Sequence, residues 1–225
     1  MERKKEMMQS SSRTDARSAI FASIRENLAK SAPFDEAHHE PSPISSAIVA
    51  PPATDLLEGF KESLELVGAK CTFVGDESEA AARLRAIVSD ISATEIIVSD
   101  SELVHRIVNA AGLDAIEDAS RDELFSSDVG ITSAQFAIAE TGTLVLESGA
   151  ERHRLVSLVP PVHVCVLNAS SIRQSMAEIL ELVDPDANPT ITFVTGASRT
   201  SDIELTLAIG VHGPGELYVI VIKDR

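Results

Sequence analysis

Residues 129–167 read Val129-Gly-Ile-Thr-Ser-Ala-Gln-Phe136-Ala-Ile-Ala-Glu140-Thr-Gly142-Thr-Leu-Val-Leu-Glu147, then Ser148-Gly-Ala-Glu-Arg152-His-Arg154-Leu-Val-Ser-Leu-Val159-Pro-Pro-Val162-His163-Val-Cys-Val-Leu167. Short runs rich in β-branched residues follow one another here, separated by turn residues and without helical periodicity, so strands are expected over 128–131, 135–139, 143–147, 155–159 and 162–167. On both sides the pattern differs. Upstream, helices over 54–68, 78–89 and 101–110 alternate with strands over 71–74 and 95–98. Downstream, helices over 171–183 and 201–209 alternate with strands over 190–195 and 217–222. Alternation of this kind marks the α/β class, with a mainly parallel sheet flanked by helices, and the uninterrupted strands in the middle read as an antiparallel insertion.

Outward from that core, four segments are expected. Residues 1–13 are polar and charged without apolar periodicity and read as a disordered leader. Ala16, Ile20, Phe21, Ile24 and Leu28 recur at helical spacing, which predicts an amphipathic helix over 14–30. Residues 31–53 hold Pro33, Pro41, Pro43, Pro51 and Pro52, five of the ten prolines, and read as a Pro-rich linker. Residues 54–225 form the domain.

The 225 residues include 44% hydrophobic but only 4% aromatic side chains and no Trp, so the core must be aliphatic rather than a set of stacking platforms for bases. The formal charge of -16 is uneven: residues 1–30 carry seven Lys or Arg against four acids, which leaves twelve basic and thirty-one acidic residues beyond them. A surface that anionic repels phosphate backbones and anionic lipid, which argues against nucleic-acid binding. No run approaches the roughly 20 apolar residues of a membrane span, so no membrane insertion and a cytoplasmic location are expected. Cys71 and Cys165 each sit in an apolar β-branched run and read as buried reduced thiols.

Seven of the eleven glycines lie between Gly130 and Gly215, which concentrates special backbone geometry in the loops of this half. Three loops there hold candidate ligand contacts. In the first, Glu140, Thr141 and Gly142 occupy a strand-to-strand corner; a partly desolvated Glu140 could serve as a nucleophile or base, while a solvated carboxylate in an ordinary turn is the alternative. In the second, Arg152 and Arg154 present guanidinium forks suited to carboxylate or phosphate, or else balance nearby acids. His163 follows in an alternating strand, opposite in face to Val162, Val164 and Val166, as a core histidine or a ligand contact. The third is Thr190–Thr195 followed by Gly196, Ala197, Ser198, Arg199 and Thr200. The capping-box spacing of Ser201 and Glu204 predicts a helix from near Asp202 to Gly210, whose amino end, with Arg199, would attract an anion in a strand-end crevice. His212, in the Val211–Gly215 loop, could reach the same ligand; a tight structural turn is the alternative.

Two widely separated cysteines cannot ligate an iron–sulfur cluster, no His/Cys set has zinc spacing, and neither a Walker loop nor a GxGxxG fingerprint is present. No metal or cofactor is therefore expected on this chain, and a redox role would need electrons handled by another.

Taken together, Phe136-Ala-Ile-Ala-Glu-Thr-Gly-Thr-Leu-Val-Leu146, Arg154-Leu-Val-Ser-Leu-Val-Pro-Pro-Val-His163, Thr195-Gly-Ala-Ser-Arg-Thr-Ser-Asp-Ile-Glu204 and Gly210-Val-His-Gly-Pro214 resemble the lactate utilization protein C family (LutC/YkgG, LUD domain). Ala16-Arg17-Ser-Ala-Ile20 and Ile24-Arg25 resemble that family's amino-terminal helix. The resemblance implies a LUD domain over 54–225 with a fold similar to the NagB/RpiA/CoA-transferase group. It also implies an accessory role in oxidising L-lactate to pyruvate with iron–sulfur partner proteins, which would carry the clusters that this chain cannot hold. A stand-alone acyl- or CoA-transferring enzyme using Glu140, or a regulator that binds a small carboxylate, are the alternatives. Ala150 and Ala197 stand where proline is expected in many relatives.

Overall fold

The computed structural model describes residues 2–30, 55–148, 154–184, 186–188, 190–201, 207–210 and 212–223. The chain divides into two units, Met1–Ser46 and Ala47–Arg225. In the first, helix α1 spans Glu2–Lys30. It therefore runs through the residues expected to form a disordered leader. These lack an apolar stripe, but they are free of Gly and Pro and rich in Glu, Lys, Arg and Met, which keep side-chain freedom in a helix. Lys30 closes the last turn on Glu26 at 2.6 Å, and the stripe residues Ile20, Phe21, Ile24 and Leu28 are exposed. The Pro-rich linker lies outside the described residues.

In the second unit, α2 (Leu56–Leu66) is capped by Asp55, whose carboxylate accepts from the N–H groups of Leu57 and Glu58. Strand β1 (Lys70–Val74), α3 (Glu77–Asp90), β2 (Ile96–Val98) and α4 (Glu102–Ala111) follow in alternation. Asp76 caps α3, and Gly112, at φ 64°, closes α4 in the left-handed region. Helix α5 (Arg121–Ser126) then starts on a capping box made by Ser120 and Glu123. Strands β3 (Val129–Ser133), β4 (Phe136–Ile138), β5 (Thr143–Glu147) and β6 (Val162–Asn168) make up the segment quoted at the outset. Beyond it come β7 (Ile172–Arg173), α6 (Met176–Leu182), β8 (Ile191–Val194), β9 (Arg199–Ser201), β10 (Leu207–Ile209) and β11 (Glu216–Ile222).

Five strands form one parallel sheet in the order β1-β11-β6-β3-β2, and four form a mixed sheet in the order β7-β4-β5-β8. The mixed sheet is the expected insertion: β4 and β5 pair antiparallel between β3 and β6 in sequence. The parallel sheet is buried on both faces, and residues two apart share a face. Tyr218, Ile220 and Ile222 of β11 and Val164 and Val166 of β6 pack with Leu84 of α3 and Ile107 of α4. Leu217, Val219, Val221, Cys165 and Leu167 pack the other way, with Phe60 and Leu64 of α2 and with Ala137, Leu144 and Leu146 of the mixed sheet. The layers are thus α3 and α4, the parallel sheet, then α2 with the mixed sheet. His163 belongs to the same side of β6 as Cys165 and Leu167.

Three expected elements are corrected. Residues 154–157 form a 3-10 turn rather than a strand. This turn lies against Gly130 of β3, where any Cβ would meet the Val156 carbonyl and Pro160. Helix 171–183 begins only at Met176, because Ile172 and Arg173 instead extend the mixed sheet by pairing with Ala137 and Ile138. Around 201–209 no helix forms among the described residues: Ser201 pairs with Leu207, and Arg199 with Ile209, as an antiparallel ribbon. For Leu207–Ile209 cross-strand pairing outweighs helix propensity, and residues 202–206 lie outside the described residues.

Candidate functional site

Parallel strands β6 and β11 both begin where loops converge. The Gly215 N–H donates to the Pro161 carbonyl at 2.9 Å, the Ser198 N–H to Pro214 at 2.8 Å, and the Gly210 N–H to Ser198 at 3.0 Å. These bonds tie together the loops before β6, after β8 and before β11. Between them lies a cavity of about 310 Å³, whose lining includes Ser157, His163, Gly196, Ser198, Arg199 and His212. Its volume is at the small end of the roughly 300–1,000 Å³ typical of small-molecule sites.

His163, the second residue of β6, is buried, and its Nε2 is 2.8 Å from the Thr132 hydroxyl on neighbouring β3. Its Nδ1 has no hydrogen-bond partner; among the described residues it shares that condition with Ser99 Oγ. Burial pushes the ring's pKa down to about 4, so it is neutral at physiological pH. Among the described residues, Arg199 supplies the one permanent positive charge in the lining. Nearby, Glu216 at the start of β11 is held by Lys70 at 2.7 Å and by the Tyr218 hydroxyl at 2.9 Å. The hydrogen bond from Lys70 keeps the Glu216 carboxyl below its ordinary range, and Lys70 is raised in return. A carboxylate one residue from the cavity-lining Leu217 thus has its charge matched by a lysine.

The first candidate loop sits differently. Glu140 Oε1 accepts from the N–H of Met176 at 3.1 Å, at the start of α6, and Glu140 is absent from the cavity lining. Gly142, at φ 61°, is pressed on α2, so that a Cβ there would meet the backbone of Leu64. Thr141 reaches the cavity indirectly: its hydroxyl is 2.7 Å from that of Thr143, which is 2.8 Å from that of Thr195 in the lining.

The structure therefore brings together His163, Gly196, Ser198, Arg199 and His212. Arg154 is exposed on the 3-10 turn, where its carbonyl accepts from Ser157 Oγ at 2.9 Å. Thr200 lies in β9, and Arg152 is outside the described residues. The helix amino end expected near Asp202 lies outside the described residues; on either side of it Arg199–Ser201 and Leu207–Ile209 pair as a ribbon, and the Ser198 N–H is spent on Pro214. The crevice also lies at the amino ends of the parallel strands rather than at their carboxyl ends. No sequence signal singles out Thr132 or Ser157 as site residues; period two along β6 points to the buried face of His163, but nothing local marks Thr132 as its partner.

Among the described residues no group of three His, Cys, Asp or Glu could hold a metal ion. Cys71 and Cys165 are not joined in a disulfide and sit on β1 and β6, with β11 between them. Burial pushes the Cys71 thiol up to about 12. Two such thiols do not fit a cluster that needs four. Among the described residues, no helix is long and apolar enough to cross a membrane.

Fold and site thus define an α/β protein with a small polar cavity at the amino edge of its parallel sheet. Residues 57–222 match the LUD domain model, and the chain belongs to the LUD domain family. It is 39% identical over 117 residues to lactate utilization protein C of Deinococcus radiodurans, covering 49% of this chain and 55% of that protein. It is 34% identical over 105 residues to lactate utilization protein C of Bacillus subtilis, covering 44% of each. An uncharacterized protein, NMB1437, of Neisseria meningitidis serogroup B is 40% identical over 109 residues, 47% of each chain. The matched part spans about half the length of these relatives. The crystal structure of a DUF162 family protein from Deinococcus radiodurans superposes with a TM-score of 0.59 at 27% identity, over 74% of this chain and 96% of that one.

Proposed function

We propose that this chain is a non-redox component of an L-lactate utilization system, acting in the oxidation of L-lactate to pyruvate beside partner proteins that carry iron–sulfur clusters. The observation that carries this reading is membership of the LUD family together with several relatives named lactate utilization protein C. The donor set agrees with such a division of labour, since two cysteines on separate strands supply no cluster site. Electrons leaving lactate would pass to the partners, while this chain contributes a binding surface or a ligand site in the cytoplasm.

Deleting the gene should abolish or strongly slow growth on L-lactate as sole carbon source, with growth on glucose unchanged. Affinity purification of the tagged chain from lactate-grown cells should recover iron–sulfur proteins. Normal growth of a clean deletion strain on L-lactate would reject this reading. A transferase role for Glu140 gains nothing from its hydrogen bond to the Met176 N–H, one of the donors left open in the first turn of α6.

A further inference from the structure

We infer that the cavity between β6, β8 and β11 binds a small 2-oxygenated monocarboxylate and accepts the hydroxy and the keto form alike. Arg199 takes the carboxylate, and His163 Nδ1 hydrogen-bonds the oxygen on carbon 2.

Charge sets the first limit. Among the described residues, Arg199 is the lining's single permanent cation, and Glu216 close by is already matched by Lys70. A monoanion balances such a site; a phosphate dianion or a dicarboxylate would leave charge uncompensated in a partly enclosed space. Size sets the second limit: about 310 Å³ takes a compact metabolite. Leu158, Val194 and Leu217 offer apolar wall for a short alkyl group.

The buried imidazole supplies the third. A nitrogen shut away from water without a partner is rare in a folded protein and asks for one. His163 lines the cavity, and Nδ1 is its unsatisfied atom. Because burial keeps the ring neutral, Nδ1 and Nε2 divide the roles of donor and acceptor between them. When the Thr132 hydroxyl donates to Nε2, Nδ1 carries the proton and donates to a keto oxygen. When Nε2 donates to Thr132 Oγ1, Nδ1 is bare and accepts from a 2-hydroxyl. The 2.8 Å contact allows either arrangement, so one site serves a hydroxy acid and its keto product without taking part in the electron transfer. The choice of a carbon-2 oxygen on a short chain rests on the lactate-utilization reading; the monoanion and the neutral imidazole do not.

The test uses the full chain, purified with ¹⁵N-labelled histidine and titrated separately with L-lactate, pyruvate, propionate and inorganic phosphate. L-Lactate and pyruvate should bind and move the His163 ring nitrogen resonances, and propionate and phosphate should bind at least about tenfold more weakly. Arg199→Gln, at an exposed position, should fold normally and lose about tenfold or more in affinity for both acids, with Arg199→Lys in between. The inference is overturned if neither acid binds at millimolar concentration, if propionate binds equally well, if Arg199→Gln binds unchanged, or if the His163 resonances stay still. The two readings fail separately. Arg199-dependent binding beside normal growth of the deletion strain would remove the lactate-utilization role and leave the site. A growth defect fully complemented by Arg199→Gln, with no binding by either protein, would remove the site and leave the role.

Discussion

His163 shows what one buried side chain does to stability. Its pKa of about 4 lies below the ordinary 6.5 because burial penalises the charged ring. The unfolded chain takes up a proton near pH 6.5, whereas the folded chain takes it up only near pH 4. Between those values the unfolded state holds more protons, so falling pH lowers stability across this window, and the loss levels off below about pH 4. A shift of that size corresponds to at most about 3 kcal/mol. Urea unfolding at pH 7.5 and 4.5 should show the wild type losing more stability than His163→Gln, even if the variant starts lower from lost packing. An equal loss in both proteins would mean that the ring is protonated in the folded state. The sequence made half of this legible: alternation along Val162–Leu167 put His163 opposite the Val162 face, and its burial follows. Its contact with Thr132 comes from the register of β6 against β3, 31 residues away in sequence, and no local pattern carries that information.

Elements are joined here by glycines that let backbones touch. Gly142 combines φ 61° with a position where a Cβ would press into the backbone of α2, whereas Gly112, at φ 64°, faces the end of Arg85 at 3.8 Å. Gly112→Ala should therefore cost about 1–2 kcal/mol, from left-handed strain alone. Gly142→Ala should cost roughly 2–5 kcal/mol, because overpacking against a helix backbone adds to the strain. Denaturant midpoints of the two variants check this, and equal losses would show that α2 gives way freely. Most elements were readable in the chain: β1, β3, β5, β6 and β11 are apolar β-branched runs, and α2, α3 and α4 have clean apolar spacing. Helix α5 escaped because six residues with one buried side chain, Leu124, show no periodicity, although Ser120 and Glu123 spell its capping box. The ribbon of β9 and β10 is hidden for the opposite reason: Ser201 and Glu204 carry a strong local helix signal, and the partner of Ser201, Leu207, is recognised only through pairing. The cavity followed the same rule, since its residue types stood out in the sequence while the bonds joining Pro161, Ser198 and Pro214 did not.

Across the whole molecule the dominant electrostatic fact is excess negative charge. Beyond residue 30, twelve basic residues face thirty-one acidic ones, a net of 12 - 31 = -19. Ion pairs such as Arg106 with Glu77 at 2.8 Å and Lys70 with Glu216 at 2.7 Å oppose this locally. Their side chains are about half exposed, and pairs of that kind contribute about 0–1 kcal/mol each. Like charges too numerous to pair repel one another over distances comparable to the screening length, which is about 30 Å at 0.01 M salt and about 8 Å at 0.15 M. Salt should therefore relieve more repulsion between carboxylates than it removes attraction within the pairs. Sodium chloride suits the measurement because, unlike sulfate, it does not strengthen apolar burial appreciably at these concentrations. Raising it from 10 to 150 mM at pH 7.5 should shift the urea midpoint upward, by about 0.3–0.5 M for a gain near 1 kcal/mol at a slope of about 2–3 kcal/mol/M. A midpoint that fell with salt would show that the few exposed pairs outweigh the anionic field, and that the surplus acids are spaced too widely to strain the fold.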